Sequence, residues 1–223
     1  MRRAVAARFG WWLNRGAGMA FDFIHGVDTR ADRPTLSCDI VSPNRNKAVP
    51  YDPTPWRTLA RSLRLGSLRT DGFTFIDIGC GKGKVLLSAL ALSFTRIIGV
   101  ELSPSLCEIA NKNLFTARLV RRRCGTVQVS CSDAVDFSVP NEPTIFFFYN
   151  PFTYDVMEIV LGNILDAHLR QPCPRYLIFY AASSSIPKIK GFFQSNGEGH
   201  ARLLVASQLG KRSIYIFELV HCR

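Results

Sequence analysis

The feature that most constrains this chain is a regular alternation of short apolar runs with amphipathic stretches across its central part. Apolar runs at 73–78, 96–101, 127–131, 144–149 and 175–180 have strand length. Between them, 83–94, 104–119 and 154–169 carry apolar residues at helical spacing. Strands and helices that take turns across short connections imply a parallel sheet covered on both faces. After a short helix over 186–194 the pattern changes to two strands, 201–207 and 213–220, joined by Gln208-Leu-Gly-Lys-Arg212. So short a link, with a glycine in it, demands an antiparallel hairpin. The expected fold is α/β: a doubly wound, mostly parallel seven-stranded sheet with a C-terminal antiparallel hairpin, flanked by helices.

Residues 29–55 are rich in Pro, Asp, Asn and Ser and lack periodicity, which marks an irregular segment. We divide the chain into an extension, 1–55, combining a basic helix with a lid-like segment, and a core domain, 56–223. Thr54 as N-cap with Pro55 at N1 would open the first core helix, carrying Trp56, Leu59, Leu63 and Leu65.

The sharpest motif is Phe75-Ile-Asp77-Ile-Gly79-Cys-Gly81-Lys-Gly83, set between the first strand and the helix after it. Alternate glycines allow a tight turn and a close approach to a ligand at the carboxyl end of a central strand. Ile97-Ile-Gly-Val-Glu101 places an acid at the end of the second strand, where a carboxylate can accept two ribose hydroxyls; it could otherwise cap the next helix. Asp133, just past the third strand, offers an acceptor for an exocyclic amine or caps a local turn.

These motifs, in this order and with the terminal hairpin, resemble the class I S-adenosylmethionine-dependent methyltransferases from about Tyr51 onward. The hairpin in that family reverses one strand at the sheet edge. The resemblance implies that Asp77 lies under the methionine moiety, that Gly79, Gly81 and Gly83 line it, that Glu101 holds the ribose and that Asp133 meets adenine. Phe21-Asp22, Gly26-Val-Asp-Thr29, Tyr51-Asp-Pro-Thr-Pro55 and Tyr149-Asn-Pro-Phe152 together are similar to a bacterial branch of small methyltransferases. Tyr51 is expected either to cross the cofactor as part of a lid, touching its methionine carboxylate, or to pack in the core.

Asn150-Pro151-Phe152, closing the fourth strand, resembles the Asn/Asp-Pro-Pro-aromatic motif of amino-methylating enzymes. There the Asn side chain and a backbone carbonyl hold the target nitrogen. Here the second Pro is missing and the aromatic arrives one residue early. S-adenosylmethionine brings an already activated methyl group, so placement and desolvation of the nucleophile matter more than a strong acid or base. We assign Asn150, Pro151 and Phe152 to the reacting end, with Asn150 also near the cofactor. No neighbouring His or carboxylate stands out as the base, since Asp155 suits a helix-dipole role.

Charge bears on the partner. The chain carries +11, and residues 1–70 hold twelve Arg/Lys against five Asp/Glu. That favours an anionic partner such as RNA, an acidic protein or a membrane surface, or is simply a solvated basic surface, as is Arg121-Arg-Arg123. The Arg-rich first twenty residues, with Phe9, Trp11 and Trp12, suit a helix packed on the domain, an organellar targeting peptide or a membrane-surface helix. No apolar run is long enough to span a bilayer. Seven scattered cysteines without a C-x-x-C pair, and four histidines far apart in sequence, suggest a reduced cytoplasmic protein without a metal site.

The expected function is methyl transfer to a nitrogen of a macromolecular acceptor, either a protein side chain or RNA. Two rivals stand beside it. An NAD-dependent oxidoreductase would need a two-residue gap between its second and third glycines, which is absent. A catalytically silent scaffold would keep the cofactor site and lose turnover.

Overall fold

The structure is a computed structural model and describes residues 18–31, 40–118, 120–196, 199–209 and 212–221, with the side chain of Ser183 left aside. The aromatic residues of the first seventeen positions, with Cys38 and Cys222, lie outside the described residues.

One seven-stranded sheet organises the chain, in the order β3-β2-β1-β4-β5-β7-β6. The strands are β1 (Thr74–Ile78), β2 (Arg96–Glu101), β3 (Thr126–Cys131), β4 (Thr144–Phe148), β5 (Arg175–Ala182), β6 (Ala201–Leu209) and β7 (Arg212–Leu219). The first five pair in parallel, and β7 is antiparallel to both β5 and β6. The expected fold class holds, with one refinement. The reversed strand is not at the edge; it is inserted one place inside, and β6 is the edge.

Among the described residues six α-helices flank the sheet: α1 over 18–25, α2 (Thr58–Leu65), α3 (Lys84–Ala89), α4 (Pro104–Thr116), α5 (Tyr154–Arg170) and α6 (Ile186–Asn196). Alternate strand residues face opposite layers, as a pleated backbone requires. Ile76, Ile78, Phe146 and Phe148 join the cluster with α5 and α6, whereas Phe75, Ile97, Ile145 and Phe147 join that with α2 and α3. All five residues of β4 are buried, which its position inside a two-sided sheet demands.

Two helix boundaries depart from expectation. α2 begins one turn late, with Arg57 rather than Thr54 at the N-cap. The cause is packing ahead of it: Trp56 stacks on Phe21 with ring centroids 3.2 Å apart, while Thr54 is buried. α3 stops at Ala89, because the Leu90 carbonyl accepts Arg123 N–H at 2.8 Å as the chain entering β3 crosses it.

The winding direction changes between β1 and β4, which pair directly, Asp77 with Phe147 and Ile78 with Phe148. In an open α/β sheet the loops leaving such a pair diverge and leave a crevice at the carboxyl ends. Here those loops are the glycine motif and Tyr149-Asn-Pro-Phe152. Among the described residues no helix is long and apolar enough to cross a membrane.

Candidate functional site

The crevice is a cleft of about 1030 Å³, including its open mouth, lined by all the expected carboxylates: Asp77, Glu101 and Asp133. Each stands at or just past the carboxyl end of a parallel strand.

Glycine is required in the first loop by close approach of other parts of this chain. Gly79 has φ +77°, and a Cβ there would stand 2.4 Å from the Pro151 Cβ. Gly81 has φ +54°, and a Cβ would stand 2.3 Å from the Tyr51 ring. The third glycine, Gly83, packs on Ala110 of α4. The loop is thus held from two sides by residues singled out in the sequence, the Tyr51 of the extension and the Pro151 of the β4 motif.

Glu101, 9% exposed, accepts Gly81 N–H at 2.8 Å and Ser103 N–H at 2.9 Å, one on each oxygen. Burial raises its pKa against these bonds. The Leu102 N–H also acts on the carboxylate, and the lone-pair capacity that remains faces the cleft, where it can accept ribose hydroxyls. Asp77, 2% exposed, has its pKa pushed well up, by burial first and by the Glu101 charge second. Two carboxylates held in such a cleft suit a ligand that carries positive charge. S-adenosylmethionine, with a sulfonium, an ammonium and a ribose, fits that donor set.

Asp133 is more heavily engaged than expected. Its Oδ2 accepts Ser42 Oγ–H at 2.6 Å and Asn44 Nδ2–H at 2.9 Å, and its Oδ1 accepts Val135 N–H at 3.2 Å. Burial opposes ionisation, yet these bonds outweigh it and the pKa falls. One side of the carboxylate thus belongs to the extension, which leaves Oδ1 for a ligand amine.

The Tyr51 hydroxyl donates to the Thr29 carbonyl at 2.8 Å, and burial raises its pKa well above that of a free phenol. Thr29 is itself held by Asp22, through Oγ1 at 2.7 Å and N–H at 3.0 Å. Asp28 pairs with Lys82 of the glycine loop at 2.8 Å. Asn113 of α4 binds the carbonyls of both Asp28 and Lys82, at 2.7 and 2.8 Å. The scattered motifs from Phe21 to Phe152 therefore converge on one loop.

Asn150 occupies the left-handed region, with φ +46°, a conformation that Asn tolerates better than most residues. Residues 47–49 lie along 151–153. Ala48 bridges Phe152, Val49 N–H donates to the Pro151 carbonyl at 3.2 Å, and Thr153 N–H donates to the Lys47 carbonyl at 3.0 Å. Asp155 is taken by Lys47 Nζ and Thr153 Oγ1, which agrees with its exclusion as a base.

Three contributors went unnoticed in the sequence. Asp52 accepts the Tyr149 hydroxyl at 2.5 Å and Arg212 at 2.8 Å, and the Arg212 guanidinium lies 4.6 Å from the Tyr149 ring centroid. Burial and the Asp52 bond push the Tyr149 pKa upward. Lys84, 8% exposed, lines the cleft, with Nζ 5.2 Å from the Trp56 ring centroid, and its pKa is lowered by burial. Asp52 adjoins Tyr51 in sequence, but nothing local marks its role, nor that of Arg212, which arrives from the terminal hairpin.

A second cavity adjoins the first and shares Val49, Asn150 and Phe152 with it. Its walls are mainly apolar, including Phe148, Met157, Phe179 and Ile189, with Ser184, Ser185 and Lys188 among its polar residues.

Residues 76–147 match the methyltransferase domain family. A protein named ribosomal protein L11 methyltransferase, from Photorhabdus laumondii, is 29% identical over 110 residues, 49% of this chain and 30% of that protein. One of the same name from Tolumonas auensis is 30% identical over 107 residues, 48% of this chain and 30% of that protein. The chain spans about 30% of the length of these relatives. In three dimensions it is similar to an RNA methyltransferase from Salinibacter ruber in complex with S-adenosyl-L-homocysteine. That likeness has TM-score 0.55 and 16% identity and covers 75% of this chain and 94% of that one. It is also similar to a ribosomal protein L11 methylase from Lactobacillus delbrueckii subsp. bulgaricus, with TM-score 0.52 and 14% identity over 73% of this chain and 78% of that one.

Proposed function

We propose that this chain, which belongs by its fold and its 76–147 core to the class I S-adenosylmethionine-dependent methyltransferases, methylates a nitrogen of a macromolecular acceptor. The observation that carries the reading is the shared wall. Asn150 and Phe152 border both the carboxylate-lined cleft and the apolar second cavity, so one motif faces cofactor and acceptor together. The L11 methyltransferase and RNA methyltransferase names of its relatives support a protein side chain or RNA as acceptor.

The cofactor supplies the activated methyl group. Glu101 binds the ribose hydroxyls through its remaining lone-pair capacity, Asp133 Oδ1 meets the adenine amine, and Asp77 faces the methionine end beside Gly79, Gly81 and Gly83. Tyr51 contributes its ring over the glycine loop; its hydroxyl stays on Thr29, so the contact to a methionine carboxylate is not part of this reading. Asn150 holds the acceptor nitrogen by its side-chain amide. The Pro151 carbonyl already receives the Val49 N–H, which leaves one lone pair there for the acceptor. Phe152 closes the acceptor side against water, where desolvation of the nucleophile adds to its reactivity. An ammonium acceptor must shed its proton to water, because Asp155 is engaged. Of the 1–55 extension, the described residues 18–31 and 40–55 supply the contacts to the glycine loop and the cleft of the 56–223 domain, and we place the protein in the cytoplasm.

The test is transfer of radiolabelled methyl from S-adenosylmethionine to protein and RNA pools, with Asn150→Ala beside the unmodified protein. Transfer that falls at least 100-fold in the variant, well beyond any loss of S-adenosylhomocysteine affinity, is the expected result. Cofactor binding with no transfer to any pool would overturn it in favour of a silent scaffold.

A further inference from the structure

Residues 53–70 carry Arg57, Arg61, Arg64 and Arg69 and no Asp or Glu. In α2 the buried side is made by Thr58, Leu59, Ser62 and Leu63. Arg57, Arg61 and Arg64 are all exposed, at spacings of four and three that place them along one face over roughly 10 Å. Among the described residues none of these three forms an ion pair.

This arrangement works against the helix. A cation at the N-cap faces the positive end of the helix dipole, and like charges one turn apart repel. A helix face that is merely solvated ordinarily mixes acids with bases. The position of the row is also informative. It starts three residues after Thr54, which lines the cleft, and the Arg61 charge is felt by Tyr180, whose ring lies 5.9 Å from the Arg212 guanidinium at the cleft mouth. At its far end Arg64 borders a shallow open depression with Ser67 and Thr70, in which Arg69 pairs with Asp71 at 4.0 Å.

We infer that the exposed arginine row of α2 is a track for the sugar–phosphate backbone of single-stranded RNA, leading its target base to the wall formed by Asn150 and Phe152. All three cations of the row are arginines, whose planar forks match phosphate oxygens two at a time. A base must leave its stack before a methyl group can reach it, which favours a single strand over a duplex. The inference rests on the macromolecular-acceptor reading and narrows it to RNA.

The experiment follows binding of a fluorescein-labelled oligouridylate 12-mer by polarisation between 50 and 300 mM KCl. Each phosphate contact of a single strand contributes about 0.7 to the slope of log affinity against log salt, so R57Q/R61Q/R64Q should flatten it by about 2. Affinity of that variant at 100 mM should drop at least tenfold. A control with three exposed charges removed elsewhere, R118Q/R121Q/R123Q, should bind within twofold of the unmodified protein. Calorimetric binding of S-adenosylhomocysteine, unchanged in both, shows that the fold survives. An unaltered slope in the α2 variant, an equal loss in the control, or competition by polyglutamate as strong as by unlabelled oligouridylate would each overturn the proposal. RNA held through the arginines by a protein that transfers no methyl would sink the enzymatic reading alone.

Discussion

The two ends of the parallel sheet bury charge in opposite ways. At the amino end of β5, Arg175 is 0% exposed and donates to the Pro140 and Gln171 carbonyls, both at 3.0 Å, with His168 Nδ1 at 3.4 Å. At the carboxyl ends, Asp77 and Glu101 are nearly as buried but border an open cleft. The cation is closed off by the protein, its two Nη groups on the protein's own acceptors and its Nε buried without one, and it serves the fold. The anions keep acceptor capacity facing a cavity and serve a ligand. A buried charge therefore reads as structure or as function according to whether its surroundings close on it.

That contrast can be broken most forcefully at the closed end. Arg175→Met leaves two carbonyls without donors and should cost about 3 kcal/mol of stability, read as a fall in denaturant midpoint, with cofactor affinity of the folded protein unchanged. An effect of similar scale but opposite kind is expected from Glu101→Gln. S-adenosylhomocysteine affinity should fall roughly 100-fold, since one charge-assisted bond to ribose is worth about 1.5–3 kcal/mol, and melting temperature should fall by less than in Arg175→Met, because the amide nitrogen replaces the acceptor of only one backbone N–H.

Asp77→Asn sharpens the comparison further. A carboxyl whose pKa is raised by folding favours the folded state below its unfolded pKa and opposes it as pH rises. Removing that charge should therefore raise the melting temperature at pH 7.5 by about 2–4 °C, the scale of 1 kcal/mol in a chain of this size, while weakening cofactor binding. The gain should vanish near pH 4; a melting temperature that drops at neutral pH would refute this account of Asp77.

The smallest effect concerns His168, 2% exposed, whose pKa is lowered by burial and by the Arg175 charge. The unfolded chain binds its proton first, so stability should decline as pH falls below about 6.5. His168→Gln should flatten that limb of a stability–pH profile.

The sheet was legible because each strand announces itself locally: Phe146-Phe-Phe148 can only be a strand buried on both sides. Asp77, Glu101 and the glycines were legible for the same reason, since each ends an apolar run. What stayed hidden depends on distance along the chain. Asp52, Tyr149 and Arg212 meet from three separate segments, and no local pattern announces a cluster assembled by packing. Thr54 looked like an N-cap by local chemistry, but burial at the cleft claimed it instead.

The insertion of β7 between β5 and β6 also sets an order of assembly. β6 has no partner in the sheet except β7, so it cannot dock alone. The hairpin is a microsecond-scale local event, whereas seating β7 on β5 closes a longer loop, so the β5–β7 contact is expected to be the slower of the two. Arg212 is the first residue of that inner strand. The Asp52–Tyr149–Arg212 cluster at the cleft mouth is therefore completed late in folding, and the glycine loop and its carboxylates can take shape before the mouth around them exists.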